Sequence, residues 1–320
     1  MPVRGGIDLG GTKIQAVVVD AQHVVLGQAR RATPTKGGPA DIAEAMAAAL
    51  REAAAAASIV TTELTHVGVG SPGTVDAAAG TVSSAKNLPR WAGMYPLGPE
   101  LHERLGTPVA LGNDVQVATD AEAALGAGRE YDSMLGVFWG TGVGGGIVLA
   151  GKPWLGRGGA GEIGHVCVKV DGAHCPCGRR GCVEAYAGRA AMEARARHLH
   201  EQGRKTKLFK IMKKRERTRL TSGIWARAAK AEDKLTLELL EEAVQAIGTG
   251  VASACNVLDP EAVVIGGGLG VRFGEPYRER IEQAMLPHLF TSAHPPKVHV
   301  ASLGDLGGAV GAALLVRDVS

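Results

Sequence analysis

The chain is short of cysteine, of aromatic rings and of net charge. Five cysteines occur among 320 residues, and aromatics make up 4%. So few thiols exclude a disulfide-stapled scaffold, and so few rings exclude a core built on aromatic packing. The formal net charge is +3, too small to imply a polyanionic partner from bulk charge. No apolar run approaches the ~18 residues that a membrane span needs. The opening "MPVRGGIDLGG" also lacks the apolar h-region of a secretory signal. The default expectation is a cytoplasmic protein that spans no membrane.

Glycine, in contrast, is abundant at 46 residues, beside a hydrophobic fraction of 45%. A core of Ala, Val, Leu and Ile with glycine-rich turns suits strands and helices around nucleotide-type loops. The length allows two domains.

Residues 3–9, "VRGGIDL", read as a strand ending at the Gly10-Gly11 turn. "KIQAVVVD" and "HVVLGQARR" complete an antiparallel meander. "ADIAEAMAAALREAAAAAS" reads as a long alanine-rich helix. "THVGVGSPGTVD" reads as a buried strand ending in Ser71-Pro72-Gly73, and "PVALGND" as another strand, followed by a helix from "VQVATDAEAALGAG". Then the pattern restarts: "SMLGVFWG" as a strand, "TGVGGG" as a glycine turn, "IVLAGKPW" as a strand. That is a weak internal repeat of strand, glycine turn, strand. Helices at 235–257, 275–287 and 306–316, and strands "AVVIGGG" and "KVHVASL", complete a mixed α/β chain in two similar halves.

Three glycine clusters stand out: "DLGGTK" (Asp8 to Lys13), "GTGVGGG" (Gly140 to Gly146) and "GGGLG" (Gly266 to Gly270). Glycine lets backbone N–H groups approach a phosphate, and successive N–H groups form anion nests. Thr12 and Thr141 could donate to the same oxygens, and Asp8 could hold Mg2+ through water. None of the clusters matches a P-loop or a Rossmann fingerprint. Asp114, in "GND", reads either as a helix N-cap or as a fixed carboxylate in a cleft between the halves.

Three of the five cysteines fall within "HCPCGRRGCVE", His174 to Glu184. In a reducing compartment C-x-C-x4-C points to a metal rather than to disulfides. Three thiolates need a fourth ligand for tetrahedral zinc, with His174, Cys167 and His165 as candidates. His174 abuts Cys175, so both reaching one ion would be cramped. His165, in "GEIGH", is spaced to fold back through a short hairpin. Glu162, His165 and Glu184 add carboxylate and imidazole groups suited to a polyol. Cys255 reads as a small core residue. Residues 204–219, "RKTKLFKIMKKRERTR", carry nine Lys or Arg in sixteen. The stretch reads as a solvated helical face or a mobile loop, with an anion-binding patch as the sharper alternative, and Leu208, Ile211 and Met212 at helical spacing favour a surface helix with one apolar edge. No nucleic-acid-binding signature accompanies it.

Together these stretches resemble the ROK family of bacterial sugar kinases and repressors. The resemblance runs from "DLGGTK" through "SPG", "GND", "GTGVGGG", "GEIGH" and "CPCGRRGCVE" to "VIGGGL", and within the family looks most like glucokinase. It implies an actin-like (ribonuclease H-like) ATPase fold with a central ligand cleft. Residues 1–115 with 305–320 would form a small domain, and 116–304 a large one carrying the zinc site. It implies ATP-dependent phosphoryl transfer to a hexose, with glucose leading and fructose, mannose, allose or N-acetylmannosamine as alternatives. Asp114 would be the catalytic base. Asn87, Asn113, Asp114, Glu162, His165 and Glu184 would meet the sugar. Asp8, Gly10, Gly11, Thr12, Lys13, Thr141 and Gly142 would lie along the phosphates, with Gly267 and Gly268 near adenosine. His165, Cys175, Cys177 and Cys182 would hold structural Zn2+, and Mg2+ would accompany ATP. Relatives are often dimers or tetramers, which implies a homo-oligomer. The repressors carry a helix-turn-helix ahead of the first strand, for which a strand starting near residue 3 leaves no room. The run "VQVATDAEAA" after Asp114 and the basic 204–219 stretch depart from the family pattern.

Overall fold

The computed structural model describes residues 2–85, 88–291 and 293–315. Contacts divide the chain into two compact units: Met1–Gly126 with Leu155–Gly158 and Leu303–Ser320, and Ala127–Trp154 with Gly159–Ser302.

In the first unit, β1 (Arg4–Leu9), β2 (Lys13–Val19) and β3 (Val25–Ala32) form the antiparallel meander. Helix α1 (Pro39–Ala56) covers it. Its Ile42, Met46, Leu50 and Ala53, spaced three to four apart, make one buried stripe. β4 (His66–Ser71) follows, then the hairpin β5 (Thr74–Asp76) and β6 (Thr81–Ser83), α2 (Leu97–Leu105), β7 (Val109–Asn113) and α3 (Asp114–Leu125). The sheet order is β3-β2-β1-β4-β7, with β1, β4 and β7 parallel.

The second unit repeats this plan. β8 (Met134–Trp139), β9 (Val143–Leu149) and β10 (Lys152–Pro153) form an antiparallel meander. Then come α4 (Val183–Ala187), α5 (Arg189–Glu201), α6 (Leu208–Lys214), α7 (Ser222–Lys230), α8 (Lys234–Leu258), β11 (Ala262–Gly266), α9 (Gly267–Phe273), α10 (Glu275–Met285) and β12 (Lys297–Val300). The order β10-β9-β8-β11-β12 is that of the first sheet. α11 (Gly307–Ala313) returns to the first unit and lies flat on β1 and β4. A Cβ on Gly68 would sit 1.7 Å from the Ala312 carbonyl oxygen, so only glycine admits this approach.

Several expectations change. The glycines of "GTGVGGG" are not all turn: β9 starts at Val143, and Gly144, Gly145 and Gly146 pair with Phe138, Val137 and Gly136. A Cβ on Gly145 would meet the Gly161 carbonyl oxygen at 2.6 Å, so a neighbouring segment occupies the space a side chain would need. "IVLAGKPW" is consequently the end of β9, a turn at 150–151, and the separate strand β10. Helix α3 groups by its contacts with the first unit, which runs to Gly126, beside the residue 115 that the family resemblance implies. A Cβ on Gly311 of α11 would lie 2.4 Å from the Val117 carbonyl oxygen, which shows how closely α3 and α11 pack. Helices α2, α4, α5, α7 and α9 have no counterpart among the elements expected from sequence, and α9 takes Gly267 and Gly268 from the expected strand "AVVIGGG".

Candidate active site

In the first unit the candidate residues gather where the parallel strands end. Asp8 pairs in register with Gly70, and Ser71 with Asn113, so Asp8, Ser71 and Asn113 share one sheet edge. That edge is where open α/β sheets bind ligands. Asp8 is half-buried, with Gly308 of α11 packed against its carboxylate. Burial pushes its carboxyl above the usual range, and Lys13 partly offsets this. The β1–β2 turn is tied down at both ends. The Gly10 N–H donates to the Lys13 carbonyl (2.9 Å), and the Thr33 hydroxyl donates to the Gly10 carbonyl (2.6 Å). Gly11 and Thr12 remain exposed at its tip. Lys13 bonds the Gln15 side chain and pairs with Asp305 at 3.2 Å.

The cap of α3 is Asn113, not Asp114. Asn113 Oδ1 accepts the N–H groups of Val115 (3.1 Å) and Gln116 (3.2 Å). Asn113 has the extended backbone of a cap, whereas Asp114 is already the first helical residue. The Asp114 carboxylate stands in the first turn, where the helix dipole favours its charge. Asn87 lies outside the described residues.

In the second unit the β8–β9 turn is built into α4 and α5. The Glu184 carboxylate accepts the Val143 N–H at 2.9 Å, and a Cβ on Gly142 would lie 2.1 Å from the same oxygen. The backbone N–H groups of Arg189 and Ala190 donate to the carbonyls of Gly140 (3.2 Å) and Thr141 (3.0 Å). Arg189 also donates a side-chain N–H to the Thr141 hydroxyl at 2.8 Å. No sequence pattern marks Arg189, which follows Gly188 without a motif of its own. Gly267 adopts φ +81°, and its Cβ would strike the Trp139 carbonyl at 2.5 Å. Gly268 faces open space, with its N 4.0 Å from the Cβ position of Gly140. The two glycine turns therefore lie side by side.

His165, Cys175, Cys177 and Cys182 bring their ligand atoms within 4.8 Å of one another. Zinc–sulfur bonds of ~2.3 Å at the tetrahedral angle place sulfurs about 3.8 Å apart. Cys177 and Cys182 are separated by 3.8 Å, and Cys175 Sγ lies 3.8 Å from His165 Nδ1. Donor set and spacing thus fit a closed zinc site of three thiolates and one imidazole. His174 instead bonds Arg180, and Cys167 reaches the Arg180 carbonyl at 3.7 Å. Burial pushes the Cys175 thiol up to about 12. A backbone hydrogen bond at Arg179 is the main cause that lowers Cys177 to about 6, favouring a thiolate. Tyr186 pins the knuckle by accepting the Ala173 N–H at 2.8 Å. With Nδ1 facing the thiols, His165 turns Nε2 toward Glu162, 3.9 Å away. Cys255 is buried in the core, as its surroundings in the sequence suggest.

The basic stretch is anchored rather than loose. Asp233 accepts the Thr206 hydroxyl (2.9 Å) and the Lys207 N–H (2.7 Å), and Leu208 is fully buried. Lys210, Lys213, Lys214, Arg215 and Arg217 are exposed.

The ROK family profile matches residues 4–319. A glucokinase from Thermotoga maritima is 32% identical over 318 residues, covering 98% of this chain and 96% of its own. A ROK family glucokinase from Streptomyces griseus, in complex with glucose and AMPPNP, matches with a TM-score of 0.82 at 32% identity, over 98% of this chain and 99% of that one. An N-acetylgalactosamine kinase from Shewanella sp. is 31% identical over 97% of this chain and 95% of its own. The mixed α/β, two-unit architecture is the actin-like ATPase fold of these sugar kinases, and the chain belongs to the ROK family.

Proposed function

We propose that the protein is an ATP-dependent hexose kinase that converts glucose to glucose 6-phosphate. One observation carries this reading: the Glu184 carboxylate is seated on the Gly142 turn. A group suited to sugar hydroxyls and a turn suited to phosphate are thereby one rigid piece, as transfer from phosphate to hydroxyl requires. The family match and the glucokinases among the relatives support the assignment.

In this reading Asp114 accepts the proton of the attacking hydroxyl. The new oxygen–phosphorus bond forms while the bond to the leaving ADP oxygen breaks. The proton moves late, so Asp114 needs no raised pKa. Asn113 commits Oδ1 to the helix cap and offers its Nδ2 amide to the sugar. Asn87, Glu162, His165 and Glu184 complete the sugar contacts. Gly10, Gly11, Thr12, Lys13, Thr141 and Gly142 line the phosphates, with Gly267 and Gly268 near the nucleoside. Mg2+ bound with ATP supplies charge neutralisation of the phosphates. Asp8 is the residue placed to hold it, and a cation there would offset the cost of a half-buried carboxylate. His165, Cys175, Cys177 and Cys182 hold zinc structurally, because four protein ligands leave no open position.

A coupled assay with ATP across glucose, fructose, mannose, allose and the N-acetylated hexosamines tests the reading. Glucose should give the highest kcat/KM. A higher value for another sugar moves the substrate assignment, and no turnover with any hexose removes the kinase assignment.

A further inference from the structure

The geometry points to Arg189 as the positioning residue of the phosphate turn: it aims the Thr141 hydroxyl at the nucleotide and brings positive charge beside it. This rests on the reading of Thr141 as a phosphate contact.

The argument starts from the hydrogen-bond inventory of a hydroxyl, which has one proton to give and lone pairs that accept. Arg189 Nη2 donates to Thr141 Oγ1 at 2.8 Å, so the arginine fills a lone pair. A guanidinium has only donors, so Thr141 cannot turn its own proton toward it. Thr141 is exposed, and its hydroxyl proton has no acceptor among the described residues. The hydroxyl is thereby oriented as a donor facing outward, the polarity that a phosphate oxygen needs.

The guanidinium is itself held in place. Its other terminal nitrogen donates to the Leu220 carbonyl at 2.9 Å. The backbone beneath it is fixed by the bonds from Arg189 and Ala190 to Gly140 and Thr141. Backbone and side chain of one residue thus clamp both peptide and hydroxyl of the turn.

Its charge is only partly offset: Glu193 acts on it through space and Arg219 opposes that, with no direct ion pair. The carboxylate one helical turn away, Glu193, makes its direct contacts elsewhere: it bonds Arg197 at 2.6 Å, accepts the Leu220 N–H at 2.9 Å and lies 3.6 Å from Arg219. Among the described residues no ion pair engages Arg189. Burial pulls Arg189 below the usual guanidinium range, as expected of a cation short of solvent. A phosphate at the turn would offset that shortage, so charge and hydroxyl act on the same ligand.

The test uses Arg189→Gln, Arg189→Lys, Thr141→Val and the Arg189→Gln/Thr141→Val pair. KM for ATP and for sugar, affinity for a non-hydrolysable ATP analogue, and Tm are read separately. Charge-assisted hydrogen bonds of this kind predict a roughly 10- to 100-fold rise in ATP KM for Arg189→Gln. Sugar KM and Tm should change little. The double variant should be no worse than the poorer single one, since both remove the same oriented donor. Arg189→Lys should recover part of the nucleotide affinity through its charge. If Thr141→Val weakens nucleotide binding and Arg189→Gln does not, Arg189 is only a structural tie and the proposal fails. A loss of Tm with both KM values rising together overturns it equally. If Thr141→Val leaves nucleotide binding unchanged, the phosphate reading of the turn fails, and the proposal with it.

Discussion

A single methyl group at position 142 tests whether the seat of Glu184 matters. The Cβ of an alanine there would lie 2.1 Å from Glu184 Oε2 and 3.1 Å from Cδ. Contacts under 3.0 Å do not persist, so the carboxylate end must retreat by about 1 Å. It is the tip of a side chain, not backbone, so the unit can absorb the change. What is lost is the 2.9 Å bond from the Val143 N–H. A bond to a charged acceptor contributes roughly 1.5–3 kcal/mol, and the half-buried setting puts the expected cost near the low end. Tm should fall by only a few degrees. Function should respond far more, because about 1 Å of misplacement at a reacting centre can cost ~100-fold. The expected result for Gly142→Ala is therefore a folded protein whose kcat/KM for glucose falls ~10- to 100-fold. Gly268→Ala is the fold control, since its Cβ meets nothing within 4 Å and its Tm should match wild type. The assay is the coupled glucose assay beside a thermal melt. A Gly142→Ala enzyme with wild-type kcat/KM would show that Glu184 does not need its seat on the turn.

Asp114→Asn should lose about 10²–10⁴-fold in kcat while glucose still binds, measured by calorimetry beside turnover. Near-normal kcat would strip Asp114 of the base role, and capping would not explain its presence, since Asn113 does that. Cys177→Ser should release zinc, lower Tm and raise sugar KM strongly, with ATP affinity changed far less. A metal-free variant with wild-type sugar KM would mean that the knuckle merely pins a loop. Replacing Lys210, Lys213 and Lys214 together by Gln should leave kcat/KM with ATP unchanged, because all three are exposed. A loss there would give the basic face a part in catalysis.

The parts of this chain that are legible in its sequence share a physical cause: each is local. Strands bounded by Gly10-Gly11, and the 25-residue helix α8 with its apolar stripe and its Asp233 cap, carry their signals within one element. Spacing narrows the zinc ligand set but does not decide it. His174, Cys167 and His165 differ in how the backbone folds back. That is set by non-local backbone pairs such as the antiparallel pairing of residue 167 with residue 182 and the bond from the Val183 N–H to the Val166 carbonyl. The "GND" stretch shows the limit at one-residue scale. Asn and Asp both cap helices, and only the extended backbone of Asn113 decides between them. The run Gly144–Gly146 misleads for the opposite reason. Glycine usually signals a turn, but here it marks a strand against which another backbone packs.

Arg189 is invisible in the sequence for the same reason as the seat of Glu184. The β8–β9 turn does not hold its own shape. Its four external ties come from positions more than forty residues away: the Glu184 carboxylate, the Arg189 and Ala190 backbone N–H groups, and the Arg189 guanidinium. Glycines 140 and 142 make the turn permissive, and α4 and α5 then choose its conformation. Cys182 is the residue that starts α4, two positions before Glu184. A metal bound at the cysteine cluster would therefore act on the turn through that helix start, and not through any direct contact with a phosphate. Stiffness at the turn is thus a property of the knuckle, α4 and α5 together. Substitutions in the knuckle should therefore show first at Glu184, which α4 carries, and those at Arg189 first at Thr141, which α5 holds, while the turn itself still forms.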